Sequence, residues 1–263
     1  MIIKWAGSKK WLFKRHPNIF PSKYNTYFEP FLGGGAIFFN LRPKKAILSD
    51  INGRLISLYE ELKKNPKGLF NETNRLIESH TDDQYYKKRI EFNETGSPVL
   101  FLYLNRTCYN GIYRENNSGE FNVPVGRRAS RHFPFKQEDL EYFSNIIKKA
   151  SLKEQGFMET LSKVKEDDFI YVDPPYIKFE NDYDSFRKYG KDVFSPEDLQ
   201  ELAEKLNELS KNNKILFSNF DLPNVRGLFK GSQWKFQSVK QASNISGTNS
   251  GRKKMEEVLI YNY

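Results

Sequence analysis

Cysteine is almost missing from this chain of 263 residues. Cys108 is the only one, so neither a disulfide framework nor a cysteine-rich metal site can be built. Histidine is nearly as scarce, and His16, His80 and His132 lie too far apart for metal-ligand spacing. No structural metal is expected. Long apolar runs are lacking as well: the longest, residues 99–104, is far shorter than the roughly 20 residues of a membrane-spanning helix. Lys4 interrupts the N-terminus before a secretory core could form, so a cytoplasmic protein is expected. Acidic residues are absent from two segments and rare in a third. Residues 1–24 hold six Lys or Arg and no acid, residues 226–254 hold seven and no acid, and residues 101–136 hold six against Glu115 and Glu120. These segments carry +17 of a net charge of +9, which leaves −8 for the rest. Such clustering suggests one basic face and an acidic partner such as nucleic acid, if the fold gathers the segments. Disorder is excluded by what is present: 38% hydrophobic residues, with 22 Phe and 15 Tyr, are enough for a sizeable core.

The punctuation of the chain is that of an α/β fold. Residues 26–28 read as a short strand, residues 33–35 as a tight glycine turn, and residues 36–41 as the start of a helix. A second strand, 46–49, ends at Asp50. Leu55, Ile56, Leu58, Tyr59 and Leu62 then recur at helical spacing until Asn65-Pro66. Further on, residues 168–172 form an apolar strand. Ser195-Pro196-Glu197 caps a helix with Leu199, Leu202, Leu206 and Leu209 on one face. Strands are expected at 215–218, 235–240 and 258–261, the last two as antiparallel neighbours. Between the halves lies a region, residues 57–135, that is mainly helical (69–79, 83–93, 101–105) and ends in a Gly- and Asn-rich loop carrying Arg114. The predicted organisation is a catalytic unit of residues 1–56 and 136–263 with an inserted recognition unit, 57–135.

Three loops carry chemistry. Asp173-Pro174-Pro175-Tyr176 follows an apolar strand, at the sheet end where ligands of α/β proteins bind. The prolines donate no N–H, so their carbonyls stand as acceptors beside the Asp173 carboxylate. Carboxylate and carbonyl oxygens together can accept both hydrogens of an amino group and turn its lone pair toward an electrophile, while Tyr176 offers a flat surface for stacking. The substrate that fits is a planar base with an exocyclic amine, adenine or cytosine. Glu29-Pro30-Phe31-Leu32-Gly33-Gly34-Gly35 also joins a strand to a helix. Gly33 and Gly35 match the first two glycines of a dinucleotide fingerprint, but Phe38 stands at the third, which suits a nucleoside ligand without a pyrophosphate. Asp50, at the next strand end, is placed to accept from ribose hydroxyls. Trp5-Ala6-Gly7-Ser8-Lys9 invites a phosphate-loop reading, but the earlier glycine is missing. Lys9 is suited instead to a ligand carboxylate and Trp5 to a flat or cationic group.

These segments, with Asp50-Ile51-Asn52, Leu104 to Arg114 and Gly119 to Gly126, resemble the Dam-type, or D12-class, adenine-N6 DNA methyltransferases. Their order is that of the family's α group, and the resemblance covers nearly the whole chain. It implies a Rossmann-like S-adenosylmethionine-dependent methyltransferase sheet with an inserted, mainly helical DNA-recognition domain. It also implies a catalytic set of Asp173, Pro174, Pro175 and Tyr176, and cofactor contacts from Trp5, Lys9, Glu29, Pro30, Phe31, Gly33, Gly35, Asp50, Phe157 and Asp173. Lys4, Arg106, Tyr109, Asn110 and Arg114 would lie at the DNA, with Arg114 where relatives read a guanine. Double-stranded DNA is the implied partner, and a cognate restriction endonuclease, but neither membrane nor metal, belongs to the same picture. Two positions depart from the Dam pattern: Ser8, where a glycine is usual, and the Thr107-Cys108 pair before Tyr109.

The implied reaction moves a methyl group to N6 of an adenine flipped out of the duplex. The competing activities are cytosine-N4 methylation, for which Ser commonly replaces the first Asp, methylation of RNA, and DNA binding without catalysis. The basic clustering predicts a steep salt dependence: a slope of log affinity against log salt of about −4 or steeper, the value for some five phosphate contacts. Filter binding between 50 and 200 mM salt measures it; a flat dependence would mean that the charge is not gathered.

Overall fold

In a computed structural model of the chain, residues 1–127, 133–177, 194–240 and 256–263 are described. Arg128, Arg131, His132, Arg252, Lys253 and Lys254, which contribute to the basic segments and the histidine count, lie outside the described residues. Seven strands form one sheet in the order β3-β2-β1-β4-β5-β7-β6. They are β1 (Tyr27–Glu29), β2 (Ala46–Asp50), β3 (Ala150–Glu154), β4 (Phe169–Val172), β5 (Lys214–Phe220), β6 (Lys235–Lys240) and β7 (Glu256–Tyr261). The first five run parallel, and β7 lies antiparallel between β5 and β6. The pair β6 and β7 is therefore the antiparallel neighbour pair expected from the sequence.

The apolar strands are buried on both faces, as parallel strands must be. Phe169 and Tyr171 point into one core layer while Ile170 and Val172 point into the other. The second layer is covered by α8 (Phe157–Leu161), α9 (Pro196–Leu209) and α10 (Pro223–Gly227). Ser195 caps α9 as expected, in a capping box with Asp198. The first layer takes α1 (Lys10–Arg15), α2 (Ala36–Leu41), α3 (Gly53–Lys64) and α7 (Gln137–Ile147). It also takes the helices of the expected insertion, α4 (Pro66–Glu78), α5 (Asp82–Thr95) and α6 (Pro98–Thr107).

The expected boundary at 56/57 needs correction, because it cuts α3 in two. Leu55, Ile56, Leu58, Tyr59 and Leu62 form one buried stripe of that helix, which packs against β2 and β3 as well as against α6 and α7 and so joins the sheet to the inserted helices. The chain changes direction at Asn65. Its side chain accepts from the Gly68 N–H to cap α4, with Pro66 at the first helical position.

The topology places the site. Strand order reverses between β1 and β4, the neighbours from which the sheet grows in opposite directions. Such a switch point opens a crevice at the carboxyl ends of the strands. The glycine loop leaves β1 there and Asp173 leaves β4 there.

Candidate functional site

The loop after β1 is built around a buried acid. Glu29 is 2% exposed; its carboxyl accepts from the Tyr27 hydroxyl at 2.7 Å and from the Phe38 backbone N–H. Burial pushes its pKa up to about 8, helped by the neighbouring charge of Asp173 and opposed by the Tyr27 hydrogen bond. Glu29 is thus a support beneath the loop and does not reach its open surface. An acid whose folded pKa lies above its unfolded value of 4.5 stabilises the fold fully below about pH 4.5 and loses that contribution as pH rises toward 8. The unfolding midpoint is therefore expected to fall over this window. The fall should be shallower in Glu29→Gln, and thermal melts from pH 5 to 8.5 compare the two.

Above that support the chain turns twice through left-handed conformations, Gly33 at φ +47° and Gly35 at +64°, the latter opening α2. The Gly33 N–H donates to Asp50 Oδ2 at 2.9 Å, and the Tyr59 hydroxyl donates to the Gly33 carbonyl at 3.0 Å. Asp50 also accepts from the Asn52 N–H at 3.0 Å. Burial raises its pKa against the pull of these backbone donors. Trp5 lies on Gly33 and Gly34: a Cβ on Gly33 would meet Trp5 Nε1 at 2.6 Å, and one on Gly34 would meet Trp5 Cβ at 2.9 Å. Trp5 stacks on Tyr113 at 5.7 Å, and Tyr113 on Phe101 at 5.1 Å. Next to Pro30, Phe31 and Phe157 stack at 5.5 Å with Phe194 edge-on to both, three half-buried rings. Phe31 and Phe157, two of the cofactor contacts that the resemblance implies, are therefore neighbours in space.

At the end of β4, Asp173 Oδ1 accepts from the Ser218 hydroxyl at 2.8 Å and pairs with the Lys9 ammonium at 2.9 Å. Lys9 is 4% exposed. Its ammonium also lies 3.7 Å from Glu257 Oε2, donates to the Gly7 carbonyl at 3.0 Å and stands 4.6 Å from the centre of the Tyr176 ring. The structure thus brings Lys9 to Asp173, where a ligand carboxylate was the partner expected from sequence. Pro174 is buried, Pro175 exposed, and the Tyr176 hydroxyl donates to Glu257 Oε2 at 3.2 Å while its ring meets Phe220 edge-on at 4.8 Å. Burial raises the Glu257 pKa, with Lys9 pulling the other way.

The segment of residues 105–114 joins the N-terminal segment through one amide. Asn105 accepts from the Lys4 N–H and donates to the Lys4 carbonyl, both at 2.8 Å, and donates to the Gly111 carbonyl at 3.3 Å. Tyr109 (43% exposed), Asn110 (φ +54°) and Arg114 are presented outward. The Arg114 Nε donates to Asn122 Oδ1 at 2.8 Å, which braces the guanidinium. Lys4 is exposed beside Gly111. Arg106 is a correction. Its guanidinium donates to the Ile2 carbonyl and lies 4.7 Å from the Phe135 ring, and burial lowers its pKa to about 10. It ties the N-terminal segment at Ile2 to α6 and is half-buried, whereas Tyr109 and Arg114 are exposed. The basic segments do touch, since the Arg15 guanidinium donates to the Lys240 carbonyl at 3.4 Å.

Three further residues of the site carry no motif of their own: Ser218, Glu257 and Tyr59. Ser218 and Glu257 are polar positions at the ends of apolar strands, the one signal that marks them. The Cys108 thiol is buried and burial pushes it up to about 11, so it is no nucleophile at neutral pH. Among the described residues, no group of three or more His, Cys, Asp or Glu could hold a metal ion, and no helix is long and apolar enough to cross a membrane.

The family described as D12 class N6 adenine-specific DNA methyltransferase matches residues 5–245. The DNA adenine methylase of Haemophilus influenzae is 34% identical over 266 residues, covering 98% of this chain and 91% of that protein. The DNA adenine methylase of Serratia marcescens is 35% identical, covering 98% and 96%. The Type II methyltransferase M1.LlaDCHI of Lactococcus lactis is 32% identical, covering 99% and 94%.

Proposed function

The chain belongs to the D12 class N6 adenine-specific DNA methyltransferases, and from that premise we propose how its residues divide the work of methylating adenine in duplex DNA. The family uses S-adenosylmethionine in general, and the loop after β1 fits it. Gly33 leaves no room for a Cβ beside Trp5, Asp50 is held by backbone N–H groups at the next strand end, and Phe31 and Phe157 supply flat apolar surface. When bound there, S-adenosylmethionine supplies the sulfonium methyl group that the target nitrogen attacks.

The chain's own part is to hold the base. Asp173 and the Pro174 carbonyl accept the two N6 hydrogens, which draws the nitrogen lone pair out of conjugation with the ring, and Tyr176 stacks on the base. Ser218 fixes the Asp173 carboxylate. Asp50 accepts from the cofactor ribose, Trp5 walls the loop and Glu29 supports it from below. Lys4, Tyr109, Asn110 and Arg114 face the duplex; Arg106 is left out of this set because it is half-buried, with its guanidinium taken up by the Ile2 carbonyl and the Phe135 ring. A catalytic unit of residues 1–64 and 136–263, with recognition elements in 65–135, replaces the division at 56/57. We place the protein in the cytoplasm at the nucleoid, with a cognate endonuclease as a partner on the pattern of the Type II relative.

The observation that carries the assignment is the Asp173 carboxylate, oriented by Ser218 at the switch point beside the glycine loop. The test is to incubate protein, S-adenosylmethionine and mixed-sequence duplex DNA, digest to nucleosides and identify the product by mass spectrometry. N6-methyladenine is the expected product. N4-methylcytosine, or no methylated base, would overturn the assignment.

A further inference from the structure

Glu257 belongs to no motif, yet it is the second carboxylate of the base site. It sits on β7 opposite Phe220 of β5, with 14% of its side chain exposed. A carboxylate so enclosed is costly unless it has partners. Those it has are Lys9 at 3.7 Å and the Tyr176 hydroxyl at 3.2 Å, and Asp173 and Tyr171 are the other titratable groups near it.

The Lys9 ammonium stands where the base should go. Offset-stacked rings have centres about 4.5 Å or more apart, and the ammonium is 4.6 Å from the Tyr176 ring centre. It also holds the Asp173 oxygen. A base stacked on this face of Tyr176, with its amine on Asp173, requires Lys9 to move. A lysine 4% exposed cannot give up its carboxylate without another in reach, because an unpaired buried charge is strongly unfavourable. Glu257 is within reach and already held by Tyr176. We propose that Glu257 is a positioning residue: it takes over the Lys9 ammonium when the target amino group claims Asp173, and so clears the base site. This inference rests on the adenine-methylation reading above.

Glu257→Gln keeps an acceptor for the Tyr176 hydroxyl and removes only the charge. Single-turnover methyl transfer at saturating cofactor and DNA is expected to slow about ten- to hundredfold, the rate equivalent of one charge-assisted hydrogen bond. Cofactor affinity and melting temperature should stay near wild type. Glu257→Asp, which keeps the charge, should recover most of the rate. In a Lys9→Met background, where nothing needs a new counter-ion, Glu257→Gln should cost nothing further. At equilibrium, the preference for duplexes with adenine over purine at the target, purine lacking the 6-amino group, should shrink in Glu257→Gln. A wild-type-like rate in Glu257→Gln, or an equal slowing on the Lys9→Met background, overturns the proposal while wild-type methylation of adenine continues. Failure of wild type to methylate adenine would instead bring down the reading on which it rests.

Discussion

Asp173→Ala is expected to slow methyl transfer to adenine by about 10³-fold or more, the scale of losing a preorganised electrostatic partner of the reacting group. The exocyclic nitrogen of adenine is a poor nucleophile because its lone pair is delocalised into the ring. Only acceptors placed to take its hydrogens out of that geometry relieve this, and on the reading proposed above Asp173 supplies the charged one. The loss should appear in kcat, because the contact gains strength as positive charge develops on the attacking nitrogen, and less in the affinity for cofactor or DNA. Alanine also strands the Lys9 ammonium, which would keep Glu257 as its carboxylate neighbour at 3.7 Å. Asp173→Asn, which retains an acceptor for Ser218, is therefore the companion variant. Tritiated methyl transfer under single-turnover conditions gives both rates. Near-wild-type activity in both variants would remove Asp173 from the reaction.

Gly33→Val is the second large effect. The backbone there has φ +47°, a region that β-branched residues adopt only under strain of about 1–3 kcal/mol. The Cβ would also come within 2.6 Å of the Trp5 indole nitrogen. Trp5 cannot simply retreat, because Tyr113 is stacked against it. The turn must therefore open, losing the Gly33 N–H bond to Asp50 and the Tyr59 bond to the Gly33 carbonyl together. Cofactor affinity is expected to fall about 100-fold or more, with two or so hydrogen bonds lost. The melting temperature should drop by several degrees. Calorimetric titration with S-adenosylhomocysteine checks the first and a thermal melt the second. Gly7→Ala, at a positive-φ glycine with open space around its would-be Cβ, should leave far more of the binding intact.

The features legible in the sequence were those written in local punctuation. The glycine turn, the Asn65-Pro66 break and the Ser195 cap each declare a boundary through their own backbone chemistry. The run of residues 137–154 has no such marks. It forms α7 and the edge strand β3, whose outward positions Ser151, Lys153 and Glu154 are exposed, so it lacks the apolar signature of the inner strands. Charge was the least reliable guide. Arg106 and Lys9 lie in basic segments and look alike on paper, but each is engaged by partners that only the tertiary fold supplies, Ile2 and Phe135 in one case, Asp173 and Glu257 in the other. Asp173 and Tyr176 were identifiable because their chemistry is contiguous. Ser218 and Glu257 complete the same site from strands far along the chain, where no spacing rule reaches.

The single amide of Asn105 bears on how such proteins diversify. Because it grips both backbone groups of Lys4 and the carbonyl of Gly111, the segment that we propose faces the duplex is not a detachable cassette. Grafting a relative's turn onto this scaffold would import a new partner for the N-terminal segment and tilt the wall formed by Trp5. On that reading, new sequence preferences should be sought in the outward side chains of Tyr109, Asn110 and Arg114, or by transplanting the N-terminal segment and the turn as one piece.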